Sequence, residues 1–318
     1  PEKVPRLENV GCLLDFLWLA KHALQESYYG WNGFMTVAHA NEPKHDMSAF
    51  LPLPFIPMPA ADPSTLYTAL RFAGKRSDDY KHKTCVVTFD LPLFLKAMDI
   101  VNGCGGKLPF VVVRLGGFHL LMSFMGAVGM LVGGSGLADL WKEVYVKNRV
   151  DAMTGGHAYK RALRAHFLTQ AALASLVLEK MQASEQISSV NIEKVRELYS
   201  KLDGTGRSFR QALKTECENN RTGGPWQQYF DQVEIMTKFV RAERTGDWRQ
   251  HLHCVGLKLP HLAAACHLPY AKRAHLYPQE MQKLEAKMTV FEFEKFAESV
   301  GGFPFSSPKR LTGESGVT

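Results

Sequence analysis

Asp90 is the residue whose type and position most directly indicate chemistry. It follows the β-branched run Cys85–Phe89 and precedes Leu91 and Pro92, so it stands where a predicted buried strand ends and a helix begins. α/β folds place catalytic and metal-binding carboxylates at the carboxyl ends of strands, and Mg²⁺ prefers oxygen ligands. Two-metal chemistry on nucleic acids needs at least two converging carboxylates, yet the next strand ends in Gly116 and Gly117. Asp90 is therefore either the Mg²⁺ ligand of a nuclease-like or strand-transferase site, or the N-cap of the following helix.

A second candidate site is a group of histidines and cysteines in the C-terminal half. Imidazole and thiolate are the preferred ligands of zinc. The spacing matches no standard zinc knuckle, because the two cysteines lie twelve residues apart with one adjacent histidine each. The alternative is that these side chains are scattered over helix surfaces and the core. The zinc ligands would be His253, Cys254, Cys266 and His267.

Basic residues near the start of a long predicted helix indicate a phosphate-binding surface. His157, Arg161 and Arg164 share one helical face, and Arg binds phosphate through two parallel hydrogen bonds. Further cations follow in the next helices and extend the candidate surface. The alternative is a solvated face neutralised by Glu143, Glu234 or Glu243. The candidate nucleic-acid-binding residues are His157, Lys160, Arg161, Arg164, Lys238, Arg241, Arg244 and Arg249.

The stretch from Cys85 to Gly136 reads as strand, helix, strand, helix and must position Asp90. Residues 108–115 are almost entirely apolar, which is typical of a buried parallel strand. Two buried strands joined by a helix imply a parallel crossover unit. The sequence therefore predicts an α/β fold with a small, mostly parallel sheet, strands near 85–90 and 108–115, and a mainly helical C-terminal half.

Composition changes along the chain divide it into four predicted segments. Residues 1–83 combine an N-terminal helix with a proline-rich lead-in, and residues 84–150 form the α/β core. Residues 151–300 form a helical region, and residues 301–318 read as a disordered tail. Alternating prolines over 50–63 predict an extended surface segment, because proline cannot donate to a sheet ladder.

Charge and cysteine content restrict the compartment and the partners. The net charge of +7 permits a nucleic-acid partner without requiring one. Six scattered cysteines without a CxxC pair are typical of a reducing, intracellular location.

Residues 115–137 carry no Asp, Glu, Lys or Arg and are long enough to span a bilayer. Their glycines, and the spacing of Gly129 and Gly133, favour a closely packed core helix instead, so no membrane partner is expected.

Several runs resemble a large family of transposon-associated proteins found in many copies in fish and marine-invertebrate genomes. The resemblance covers most of the chain, from Gly30 to Met288, and the run LGGFHLLMSF is its most specific part. The matching runs are Gly30–Phe34, Thr88–Pro92, Arg114–Phe124, Gly156–Ala162, Arg241–Trp248 and His267–Lys272.

This resemblance implies a transposase-derived protein with a ribonuclease-H-like core and an ancestral DNA-processing role. The chain departs from that pattern at Gly117, where an active site would need an acid, and in its Pro- and Ser-containing tail. Only Asp90 carries over as a metal ligand. We therefore expect an intracellular, nuclear protein that binds DNA or a protein partner through the basic helical face without catalysis. The alternatives are a Mg²⁺-dependent nuclease or strand-transferase remnant using Asp90, and a protein-interaction scaffold with no nucleic-acid role.

Overall fold

The computed structural model of the chain describes residues 14–19, 22, 30–38, 52–80, 84–109, 111–185 and 207–287. Within the predicted N-terminal helix, residues 14–19 and 22 are described and are helical. The rest of that helix and the predicted tail over 301–318 lie outside the described residues.

A two-stranded parallel sheet is the centre of the predicted α/β core. Helices α1 (Trp31–Ala38) and α2 (Pro63–Asp79) precede it in the chain. Strand β1 (Cys85–Phe89) is joined through helix α3 (Leu91–Gly103) to strand β2 (Val111–Leu115). Cys85 lies opposite Val111 and Phe89 opposite Leu115. Every residue of β2 is buried, whereas Thr88 in β1 is exposed. The predicted strands and their parallel pairing are confirmed.

The start of α3 follows directly from its sequence. Asp90 has an extended backbone and its side chain accepts a hydrogen bond from the Leu93 amide across 3.2 Å. This N-cap satisfies one of the amides that a helix leaves unpaired at its start. Pro92 occupies the first turn, where its missing N–H costs nothing.

Helices dominate the described chain after β2, which confirms the mainly helical C-terminal half. After β2 come α4 (Gly117–Leu131), α5 (Leu137–Lys142), α6 (Lys147–Thr154), α7 (Tyr159–Glu185), α8 (Arg207–Glu218), α9 (Gly223–Thr245), α10 (Trp248–Ala264), α11 (Leu268–Arg273) and α12 (Leu276–Lys287).

Helix α4 contains most of the long uncharged stretch. Its residues Leu120, Leu121, Phe124 and Met125 are buried, which confirms the expected core helix. Among the helices of the described ranges, none is both long enough and apolar enough to cross a bilayer.

The described chain divides into two compact units. Unit 1 contains the described residues up to 38 and residues 128–240, and unit 2 contains residues 52–127 and 241–287. Buried side chains of unit 1 include Met153, Tyr229 and Val233, and those of unit 2 include Phe94 and Phe124. Each unit thus combines segments that are distant in sequence. The predicted division of the chain into four consecutive segments stays a prediction.

Candidate functional site

A network of polar side chains lies buried beside the sheet in unit 2. Arg114 of β2 donates from Nη2 to Glu243 Oε1 across 3.0 Å. His251 of α10 places Nδ1 2.5 Å from the same oxygen, and its Nε2 lies 3.2 Å from the Tyr277 hydroxyl of α12. The Arg114 and Glu243 side chains are only 6% and 24% exposed, and His251 and Tyr277 are fully buried. The network therefore connects a strand to the residues of three helices.

Burial and charge set the protonation states in this network. Burial lowers the pKa of His251 despite the opposing effect of Glu243, so the ring is neutral at neutral pH. Burial raises the pKa of Tyr277, which keeps its hydroxyl protonated. Tyr277 therefore donates to His251 Nε2, and the Nδ1–H of His251 faces the Glu243 carboxylate. Burial acts to raise the pKa of Glu243, but His251, Arg114 and Lys258 outweigh it and hold that pKa below its usual value.

Lys258 and Cys254 lie one helical turn apart in α10 and are also fully buried. Burial lowers the pKa of Lys258 well below its ordinary value, against the opposing influence of Cys254 and Glu243. The Lys258 Nζ lies 5.7 Å from the centre of the Phe124 ring, within cation–π range. Glu243 is thus the carboxylate that Arg114 and His251 contact directly, and its charge also acts on the buried Lys258.

The Glu243 carboxylate occupies the space that a side chain at Gly117 would need. A Cβ atom built on Gly117 would lie 2.8 Å from Glu243 Oε1. The first turn of α4 has no acidic residue of its own, so Glu243 places negative charge beside that helix N-terminus. The sequence indicated Glu243 only as a carboxylate that could neutralise surface cations, and its buried position beside Gly117 was not predicted. The available signal was Arg114, a lone charge in a buried strand, which requires a counter-ion.

Asp90 is half-exposed and acts as the N-cap of α3. Burial, with a smaller contribution from the Asp90 charge, raises the pKa of Tyr270 to about 12, and a hydrogen bond with Ser123 opposes the shift. The described residues contain no group of three or more His, Cys, Asp or Glu that could hold a metal ion. The capping bond accounts for Asp90, and its role as a Mg²⁺ ligand stays a prediction.

The four residues considered as zinc ligands do not converge in the described structure. His253 is exposed while Cys254 faces the core, because successive helical residues point about 100° apart. Cys266 is exposed just beyond α10 with a φ of 54°, and His267 is the N-cap of α11. The zinc set is therefore not assembled.

A tight turn in unit 1 presents the basic start of α7. Helix α6 ends in a Schellman motif, in which the His157 amide donates to Ala152 O across 2.9 Å and the Gly156 amide to Met153 O across 3.1 Å. Gly156 adopts a φ of 79°, which glycine permits without steric cost. Helix α7 begins only three residues later at Tyr159. The turn thus connects two helices through four residues, 155–158.

The first turns of α7 separate buried from exposed side chains. Ala162, Ala165 and His166 are buried. The side chains on the opposite side are exposed, and we call this set the basic face: His157, Lys160, Arg161 and Arg164. His157, Arg161 and Arg164, the three residues predicted to share a helical face, are all exposed, and His157 lies in the turn before α7.

In the described part of the chain, the basic face carries positive charge that no neighbouring carboxylate neutralises. Within the described ranges, Lys160, Arg161 and Arg164 form no ion pair, and the first turn of α7 has no acidic residue. Lys180, near the other end of the same helix, is paired with Glu216. Cations near a helix N-terminus oppose the helix dipole and repel one another. This arrangement favours an anionic ligand.

The other four candidate cations differ from the basic face. Lys238 is half-buried and its Nζ lies 2.7 Å from Glu234, as the neutralised alternative predicted. Arg241, Arg244 and Arg249 belong to unit 2 and are not free of partners. The eight residues are thus divided between the two units, and four of them form one exposed surface.

A family model described as a domain of unknown function, DUF8702, matches residues 30–305. The chain belongs to the DUF8702 family. Comparison with curated proteins and with solved structures gives no significant match in either set. The function of this DUF8702 domain must therefore be argued from its own residues.

The buried His166 of this DUF8702 domain makes folding stability sensitive to acid. Its Nδ1 lies 3.0 Å from the Tyr229 hydroxyl, and burial lowers its pKa from 6.5 to about 3. Between these values the unfolded chain binds more protons than the folded chain, so stability falls as pH falls from about 6.5 to about 3. We expect His166→Gln to reduce the number of protons taken up on unfolding by close to one, as measured by urea denaturation across this pH range.

The exposed His157 provides the matched control for His166. His157→Gln makes the same substitution at an exposed side chain, so the difference between the two variants isolates the effect of burying His166. Burial also lowers the pKa of His251. This histidine therefore also makes stability fall as pH falls, and it is present in both variants. An unchanged pH slope in His166→Gln would show that His166 is solvated in the folded protein.

Proposed function

We propose that this DUF8702 domain binds nucleic acid through the basic face, without catalysis by those residues. The observation that carries the proposal is that Lys160, Arg161 and Arg164 are exposed and, in the described part of the chain, have no acidic partner. Phosphate groups would neutralise the three cations and release counter-ions from the nucleic acid.

The local geometry favours double-stranded DNA as the ligand. Two helices joined by a four-residue turn containing glycine are the elements of a helix–turn–helix unit. In such units the N-terminal residues of the second helix reach base edges in the major groove. Lys160, Arg161 and Arg164 occupy that part of α7. A transposon origin and a nuclear location are consistent with this function and are proposed with it.

The charge reversal Arg161→Glu/Arg164→Glu should weaken binding to a duplex roughly 10- to 100-fold at physiological salt. Each phosphate contact that is lost also reduces the dependence of log affinity on log salt concentration by about 0.9. The double variant should therefore lower that slope by about 2. Fluorescence anisotropy with a labelled random duplex, titrated at several salt concentrations, measures both quantities.

A second double variant controls for net charge. Lys214→Glu/Lys283→Glu changes the net charge equally, but both lysines are paired within their own helices, to Glu218 and Glu280. We expect this variant to retain the wild-type slope and most of the affinity. Equal losses in the two variants would mean that binding reflects overall charge, and the proposal for the basic face would then be wrong.

A further inference from the structure

The segment of residues 52–60, which we call the proline-rich segment, exposes large apolar side chains to solvent. It reads PLPFIPMPA and contains no charged residue. Phe55 is 89% exposed, Met58 60%, Leu53 52% and Ile56 37%. Large apolar side chains clustered in this way on a folded protein mark interaction sites, because their exposure to water is unfavourable.

Proline restricts the backbone of nearly the whole segment. Pro52, Pro54, Pro57 and Pro59 have a fixed φ, and each proline steers the residue before it towards extended or polyproline II geometry. Phe55 is therefore the only residue between 52 and 59 that neither is proline nor precedes one. The segment has no helix or strand, and the Met58 amide donates to Ile56 O across 2.8 Å, which closes a tight turn at Pro57. The backbone is thus restricted before it meets any partner.

The C-terminal end of the proline-rich segment is held by unit 2. The Asp62 amide donates to Pro59 O across 3.0 Å, and the Asp62 side chain caps α2 through the amides of Ser64 and Thr65. Lys96 of α3 donates from Nζ to Ala61 O across 2.8 Å. A ligand whose backbone is already restricted and attached loses less conformational entropy on binding than a free peptide.

We propose that the proline-rich segment is a docking ligand for a partner protein domain with an aromatic-lined groove of the polyproline-binding kind. In a polyproline II helix with three residues per turn, Pro54 and Pro57 lie on one edge, which is the spacing that such grooves recognise. Phe55, between them, is exposed and is available to a flanking pocket. Because the segment is uncharged, it offers nothing to an acidic or a basic partner.

The test is an array of purified SH3, WW and EVH1 domains, probed with the whole labelled chain. We expect binding to at least one domain that is competed by a free polyproline peptide. Affinity should be nearly constant between low and high salt, which distinguishes this interaction from nucleic-acid binding by the basic face. Phe55→Ala and the double variant Pro54→Ala/Pro57→Ala should each reduce the affinity at least about tenfold.

The matched control is Leu176→Ala, which removes another exposed apolar side chain, in unit 1. It should leave binding unchanged. All these variants should keep the wild-type thermal midpoint, since the side chains they remove are in solvent. Absence of binding to every domain on the array would overturn the proposal. Binding that persists in both Phe55→Ala and Pro54→Ala/Pro57→Ala would overturn it as well.

Discussion

Glu243→Ala should lower the free energy of unfolding by about 3–5 kcal/mol, the cost typical of removing one partner from a buried ion pair. The variant leaves Arg114 and His251 buried without the carboxylate that they contact. It also removes negative charge from beside the N-terminus of α4. Urea denaturation at neutral pH, followed by circular dichroism, measures the loss.

Two further variants test whether the loss comes from charge or from packing. Glu280→Ala removes a carboxylate from a pair with a mostly exposed lysine, Lys283, and should change stability by less than about 1 kcal/mol. Adding Arg114→Met to Glu243→Ala should recover part of the lost stability, because an apolar side chain tolerates burial without a counter-ion. A loss below about 1 kcal/mol for Glu243→Ala would mean that water reaches the network and that the buried pair contributes little.

Lowering the pH should remove the stabilising contribution of Glu243 without a substitution. The pKa of Glu243 is lower in the folded than in the unfolded chain, so the carboxylate stabilises the fold at pH values above its ordinary, unfolded pKa. The contribution is lost as pH falls through the folded-state pKa. The lowered pKa values of His166 and His251 mean that these histidines begin to destabilise the fold at a higher pH than Glu243 does. As pH falls, the effect of the histidines therefore comes before the loss of the Glu243 contribution.

The parts of the fold that depend on local sequence could be predicted. The β-branched run before Asp90 and the apolar run after Gly106 each specify a buried strand, and Asp90 with Pro92 specifies the start of the helix between them. The exposed face of α7 also follows from spacing within one helix. In each case the deciding interactions join residues a few positions apart.

The buried network could not be predicted, because its partners are far apart in the sequence. Arg114 and Glu243 are separated by 129 positions, and no local pattern identifies one as the counter-ion of the other. The same reason applies to the eight candidate cations, which belong to two different units. Their charges are evident in the sequence, but the pairing of Lys238 with Glu234 and the division between units require the fold.

Residue type alone also overstated the zinc set. His253 and Cys254 are adjacent in sequence but differ in burial, because a helix turns them towards different surroundings.

Glycine spacing was more informative than the types of the metal-binding residues. The Gly129 and Gly133 pattern indicated a close approach of other backbone, and such an approach exists at Gly129, where the neighbour is the end of α6 rather than a sheet.

Gly129→Ala should lower the free energy of unfolding by about 3 kcal/mol, at the upper end of the usual cost of overpacking. A Cβ atom at this position would lie 2.1 Å from Thr154 O and 2.9 Å from the Thr154 carbonyl carbon. Both atoms belong to the backbone, so no side-chain rotation can relieve the overlap. Helix α4 would have to move away from the end of α6, which directly precedes the turn that presents the basic face. Thermal and urea denaturation measure the loss.

Gly256→Ala is the matched control, since it makes the same change inside α10 where, apart from the adjoining residues and the backbone of the helix itself, no atom lies within 4 Å of the new methyl group. Alanine favours a helix over glycine by roughly 0.5–1 kcal/mol, so this variant should be slightly more stable than the wild type. The two substitutions are therefore expected to have opposite signs. If Gly129→Ala were also stabilising, the contact between α4 and the end of α6 would be looser than the structure describes. Because α6 supports the turn before α7, Gly129→Ala should also weaken duplex binding even though residue 129 lies outside the basic face, whereas Gly256→Ala should not.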